Sequence, residues 1–311
     1  MVTAAAGVAA ALSPLSGRDY LSSADFSAEE TAALLELAAQ LKSGDRRIDL
    51  GNRVLGLIFS KASTRTRVSF QVAMARLGGQ TVDLNPSVTQ LGRGEPLEDT
   101  ARVLSRYCDA LAIRTFAQQE IVDYAHWASV PVINALSEDF HPCQLLADLQ
   151  TFFEHRGDIQ NARAAFVGDG SSNVCQSWIN AAAMMNFELR IGAPEGYHPQ
   201  RALVQAAGDR CQITTSAQEA VSDVDLVITD TWTGMGQEDE KTQRLDALND
   251  FQVNQQLMSL ASKEALFMHC LPAYRGQEVS AEVLEGPQSV VWDEAENRLH
   301  AQKALIELLM T

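Results

Sequence analysis

The chain has 311 residues, 46% of them hydrophobic and 21% charged, and a formal net charge of −16. This length allows one large or two medium cores, and the composition is that of a soluble globular protein. The acidic balance excludes a broad nucleic-acid or anionic-membrane surface, so any anionic ligand needs a local positive pocket. Five cysteines, Cys108, Cys143, Cys175, Cys211 and Cys270, are scattered without metal-ligand spacing. Neither a disulfide framework nor a metal site is expected, and a reducing cytoplasm is the expected setting. The alanine-rich start, residues 1–15, lacks a basic leader and is too short to span a bilayer; it reads as an N-terminal extension.

Taken in order, Ser27-Ala28-Glu29-Glu30 has the form of a capping box, and Leu34, Leu35, Leu37, Ala38 and Leu41 recur at helical spacing after it. The apolar run 54–59 predicts a buried strand, and the spacing over 68–77 predicts a helix. Between them lies Ser60-Lys61-Ala62-Ser63-Thr64-Arg65-Thr66-Arg67. A turn at a helix N-terminus presents unpaired backbone N–H groups and the positive end of the helix dipole. Ser63, Thr64 and Thr66 add hydroxyl donors, while Arg65 and Arg67 add guanidinium forks that grip phosphate or carboxylate oxygens in pairs. An oxyanion is the natural guest, although such a cluster taken alone serves equally as a solvated cap. The glycine-lysine pattern of a nucleotide P-loop is absent.

A short extended run at 81–84 leads to a long Gly/Pro-punctuated loop, 85–96, holding Gln90 and Arg93. A helix over 97–107, a strand over 110–113 ending in Arg114, a helix over 119–127 and a strand over 130–134 follow. Strands alternating with helices predict a mainly parallel α/β sheet whose ligands gather at the carboxyl ends of its strands. His141-Pro142-Cys143-Gln144 opens a helix over 142–155, with proline in the first turn where its missing N–H does no harm. This helix is read as a bridge between domains.

A second alternating series starts with a strand at 164–167. It passes through Gly168-Asp169-Gly170-Ser171-Ser172-Asn173, which lacks the third glycine of a dinucleotide fingerprint, and enters an apolar helix over 174–187. Strands are predicted at 189–192, 225–229, 265–268 and 289–292, with a terminal helix over 294–310. Polar residues follow two of these strands: Asp230 to Gly236 after one, and His269-Cys270-Leu271-Pro272 after the other.

Four pieces in this order, Ser63 to Arg67, His141 to Gln144, Asp230 with Trp232 and Met235 to Glu238, and His269 to Pro272, carry a resemblance to the aspartate/ornithine carbamoyltransferase family, its ornithine members in particular. It runs from about Gly17 to the C-terminus. The resemblance implies two α/β domains: residues 1–145 for carbamoyl phosphate, with helix 293–311 packing back on them, and residues 146–292 for ornithine. It implies no cofactor and trimers, or assemblies of trimers, with sites at subunit interfaces. By similarity Ser63, Thr64, Arg65 and Thr66 hold the phosphate, joined by Arg114, His141 and Gln144, and Gln90 reaches a neighbouring subunit's site. Asn173, Asp230 and the Met235 backbone match ornithine contacts, and Cys270, Leu271 and Arg298 line the reacting centre.

The implied activity moves the carbamoyl group of carbamoyl phosphate to the δ-amine of L-ornithine, giving L-citrulline and phosphate in arginine biosynthesis. Two departures fall on the amino-acid side: Gly234 stands where ornithine enzymes usually carry serine, and Ser172-Asn173 replaces an Asn-Asn pair with one extra residue before it. A carbamoyltransferase for acylated ornithine, putrescine or aspartate, a catalytically silent homologue, and a dinucleotide-dependent oxidoreductase built on the Gly168 loop remain the rival readings.

Overall fold

The computed structural model describes residues 15–85, 94–233 and 240–311. The sequence-predicted positions Gln90, Gly234 and Met235, and nearly all of the alanine-rich start, lie outside the described residues. The chain divides into two compact units: one runs up to Gln150 and takes in Asn297–Thr311, and the other is Thr151–Glu296. Among the described residues, no helix is long and apolar enough to cross a membrane.

In the first unit α1 (Ala28–Ser43) starts at the expected capping box: Ser27 Oγ accepts from Glu30 N–H, and Ser27 N–H donates to the Glu30 carboxylate. Gly44 ends it at φ 85°, a left-handed conformation glycine adopts without penalty. There follow β1 (Val54–Phe59), α2 (Arg65–Arg76), β2 (Gln80–Leu84), α3 (Leu97–Leu104), β3 (Ala110–Arg114), α4 (Gln118–Trp127), β4 (Val132–Leu136) and α5 (Pro142–Arg156). The sheet is parallel in the order β2-β1-β3-β4. Every residue of β3 is buried, as a strand covered on both faces requires. Ile58, Leu111, Ile113 and Val132 pack with Ile121 and Tyr124 to form a core. The predicted strand at 130–134 sits two residues later, since Pro131 has no N–H for a ladder and contributes only its carbonyl, which accepts from Leu111.

In the second unit β5 (Arg163–Val167), α6 (Asn173–Met185), β6 (Glu188–Gly192), α7 (Arg201–Ala207), β7 (Cys211–Thr214), α8 (Ala217–Val221), β8 (Leu226–Thr229), α9 (Lys241–Leu248), α10 (Gln255–Met258), β9 (Leu266–His269) and α11 (Ala281–Leu284) build a parallel sheet in the order β7-β6-β5-β8-β9. Val167, Val227 and Phe267 pack with Ala220, Val221 and Val283 in its core. The expected strand at 289–292 is not one: Ser289 makes a single bridge to Phe267, and α12 (Val291–Met310) begins at once, its first turn closed by Glu294 N–H to the Val290 carbonyl. The β-branched pair Val290-Val291 favours a strand locally, but the helical hydrogen bonds prevail.

The strand orders locate the sites. In the first sheet the chain leaves β1 towards β2 and crosses back to β3, so the order reverses between β1 and β3; in the second it reverses between β5 and β8. Helices diverge at such a point and leave a crevice at the strands' carboxyl ends.

Candidate active site

The first switch point carries the anion loop. Phe59 and Arg114 end their strands as register partners, and Ser60 N–H donates to the Arg114 carbonyl at 2.8 Å. Helix α2 begins three residues earlier than its apolar spacing suggests, which puts Arg65, Thr66 and Arg67 in its first turn, where N–H groups point outward. Its N-cap, Thr64, makes no side-chain capping bond, but Ser63 Oγ one residue earlier accepts from Thr66 N–H at 3.3 Å. Ser63 is half-buried, Thr64 and Arg65 are exposed, and Thr66 is buried.

His141 and Gln144 enter from the start of α5 and Arg298 from α12. Arg298 donates to Gln144 Oε1 at 2.6 Å and to Thr66 Oγ1 at 3.2 Å, and Gln144 in turn donates to Asp148 at 2.7 Å. Thr66, Arg114, His141, Gln144 and Arg298 are all buried. Burial, followed by the charges of Arg298, Arg114 and Arg65, pushes the His141 imidazole well below its ordinary range, so it is neutral at pH 7. Three guanidinium groups thus share one corner of the first unit with a neutral imidazole, a setting suited to an oxyanion with several oxygens.

Lys61 was not singled out by the sequence reading. It is buried beside this corner, with its ammonium 3.9 Å from the Phe116 ring centroid and 3.4 Å from Glu138. Burial lowers its pKa, Glu138 counters that, and Arg114 lowers it further. Its place two residues before Ser63 was the available signal.

The second switch point gathers Asp230 and Asn173, and β9 adds Cys270 and Leu271 beside them, Thr229 and His269 being register partners. Asp230 accepts from Thr231 N–H at 2.7 Å and from Cys270 Sγ at 3.1 Å. Burial raises its pKa above the usual carboxylate value, against the opposing pull of His269 and Cys270. Asn173 opens α6, while the cap itself is Ser172, whose side chain accepts from Cys175 N–H.

Leu271 has φ 56°, a left-handed backbone unfavourable for a branched residue. Its N–H donates to His269 Nδ1 at 2.9 Å, which leaves His269 Nε2 to donate to Glu278 at 3.1 Å, both side chains fully buried. The ligand atoms of Asp230, His269 and Cys270 lie within 4.8 Å of one another. Both imidazole nitrogens nevertheless already serve this bracing, so closure around a metal ion would break one of these bonds.

Two parallel α/β units, one with a basic corner and one with a buried carboxylate beside a thiol, each at its sheet's switch point, define a two-domain α/β protein of the doubly wound class. Comparison with known proteins makes this specific. Residues 18–154 match the aspartate/ornithine carbamoyltransferase carbamoyl-P binding domain, and residues 160–309 match the Asp/Orn binding domain of the same family. Ornithine carbamoyltransferase from Parasynechococcus marenigrum is 63% identical, with 100% of this chain and 99% of that protein covered. The anabolic ornithine carbamoyltransferase of Pseudomonas aeruginosa is 52% identical over 95% of this chain and 98% of that protein. The solved ornithine carbamoyltransferase of Pyrococcus furiosus superposes with a TM-score of 0.91 at 45% identity, covering 95% of this chain and 98% of that one. The chain belongs to the aspartate/ornithine carbamoyltransferase family, on its ornithine carbamoyltransferase branch, and is an enzyme that transfers carbamoyl groups.

Proposed function

We propose that the chain moves the carbamoyl group of carbamoyl phosphate to the δ-amine of L-ornithine, giving L-citrulline and phosphate, in the biosynthetic direction towards arginine. The observation that carries this reading is the basic corner of the first unit, where Arg298 ties Thr66 to Gln144 and Arg65, Arg114 and Arg298 act together on a neutral His141. In the reaction the neutral δ-amine attacks the carbamoyl carbon. The C–O bond to phosphate then breaks, and the amine proton leaves with the phosphate.

Ser63, Thr64, Arg65 and Thr66 hold the phosphate, joined by Arg114, His141 and Gln144. A neutral His141 can donate one hydrogen bond without repelling the three arginines. Each donor aimed at developing oxyanion charge is worth roughly 3 kcal/mol. On the second unit Asp230 takes the ornithine α-ammonium, and Asn173 is a further ornithine contact. Cys270 and Leu271 are assigned with Arg298 to the reacting centre.

The proposal keeps residues 1–145 for carbamoyl phosphate and 146–292 for ornithine, with Gln90 serving a neighbouring subunit's site in a trimer and Gly234 and Met235 on the ornithine side. The five cysteines are free, which suits a cytoplasmic setting. Purified enzyme is tested for ureido product with carbamoyl phosphate and ornithine, acylated ornithine, putrescine or aspartate in turn. Turnover with ornithine is expected, and its absence would overturn the reading. Light scattering tests the trimer.

A further inference from the structure

Helix α9 carries Arg244, a residue outside the motifs on which the family resemblance rests. Its side chain is 7% exposed and forms an ion pair with Asp169, itself 6% exposed, in the loop after β5. Its Nε donates to the Trp232 carbonyl at 2.6 Å, in the loop after β8. The guanidinium also lies 5.0 Å from the Tyr197 ring centroid, so a planar cation is held on one face by an aromatic ring.

These contacts reach the two loops of the second switch point. The other oxygen of Asp169 accepts from Ser171 N–H at 3.0 Å and from Ser171 Oγ at 2.6 Å, which shapes the turn leading into Asn173. Trp232 is two residues from Asp230. Its indole lies so close to Gly168 that a Cβ there would come within 3.0 Å of Nε1, and Gly168 has φ +122°. The β5 and β8 loops are therefore in contact through Trp232 and are pinned together by Arg244.

We propose that Arg244, paired with Asp169, is a positioning residue that sets the spacing of Asp230 and Asn173, and so determines affinity for the amino-acid substrate. The inference rests on the ornithine reading above. A lysine in its place keeps a charge for Asp169 but loses the planar fork, and so loses the simultaneous hold on Trp232. Neutralising both partners together, as Asp169→Asn with Arg244→Gln, leaves no orphaned buried charge and keeps the pair testable in a folded protein.

The test measures KM for ornithine by citrulline formation, and carbamoyl phosphate affinity separately by calorimetry. Arg244→Lys is expected to raise KM for ornithine by about tenfold, and the double substitution by about a hundredfold, the scale of a small misplacement of reacting groups. Carbamoyl phosphate affinity should stay within about twofold of the parent. An unchanged KM for ornithine in either folded variant would overturn the inference, as would a parallel loss of carbamoyl phosphate binding, which marks a general structural role. Lack of citrulline formation by the parent enzyme would overturn the ornithine reading first, and this inference with it, so the two failures are told apart.

Discussion

The two switch points handle charge in opposite ways. At the first, cations are gathered: Arg65, Arg114 and Arg298 all act on His141, and Lys61 lies close by. At the second, polar groups are matched within the unit: Asp169 pairs with Arg244, Glu278 accepts from His269, and Asp230 is held by Cys270 and a backbone N–H. On the proposed function, the difference follows from the guests. A phosphate group brings its own negative charge and is met by collected positive charge. A zwitterionic amino acid needs a few well-aimed groups in an otherwise balanced, rigid surround.

The largest expected effect strikes the first corner. Arg65→Ala should lower kcat/KM by about a hundredfold to a thousandfold, as loss of an oxyanion donor does, and calorimetry should show carbamoyl phosphate binding abolished. Arg65 is exposed, so thermal stability should hold; unchanged affinity would break the comparison at its first term. Next, Asp230→Asn should raise KM for ornithine by roughly thirtyfold or more, the scale of losing about 2 kcal/mol from a buried charge contact, while carbamoyl phosphate binding survives. Steady-state kinetics with each substrate varied separates these outcomes.

A smaller effect sharpens the electrostatic half of the contrast. The unfolded chain protonates His141 near 6.5, whereas the folded chain keeps it neutral well below that. Below pH 6.5 the unfolded state therefore binds the extra proton, and stability falls as pH falls, by up to about 1.4 kcal/mol per pH unit from this one group. Urea midpoints at successive pH values should show a shallower acid slope for His141→Asn than for the parent. The smallest effect is a control at a residue that belongs to neither corner: Ser27→Ala removes the α1 cap at a cost of about 1 kcal/mol, with both substrate affinities unaltered.

Wherever structure is set by neighbours in sequence, it was legible. The α1 capping box, the fully apolar strands, Pro142 in the first turn of α5 and the anion loop between strand and helix are all local signals. The elements missed or misplaced have weak local signals. Edge strand β7 has one buried residue among its four, α7 buries only Ala207, and α9 buries only Arg244 and Leu248. At 289–292 a valine pair imitates a strand that the helix then absorbs.

By itself the sequence determined the two alternating α/β series, the motifs and their order, because strand burial, helix capping and turn chemistry depend on residues a few positions apart. The tertiary structure alone decided the strand orders that open each crevice and the arrival of Arg298 on Thr66 across 232 positions. It also decided the neutrality of His141 and the pairing of Arg244 with Asp169. These depend on which groups are brought together away from water, and the cost of burying a charge is set by partners that only the folded chain supplies.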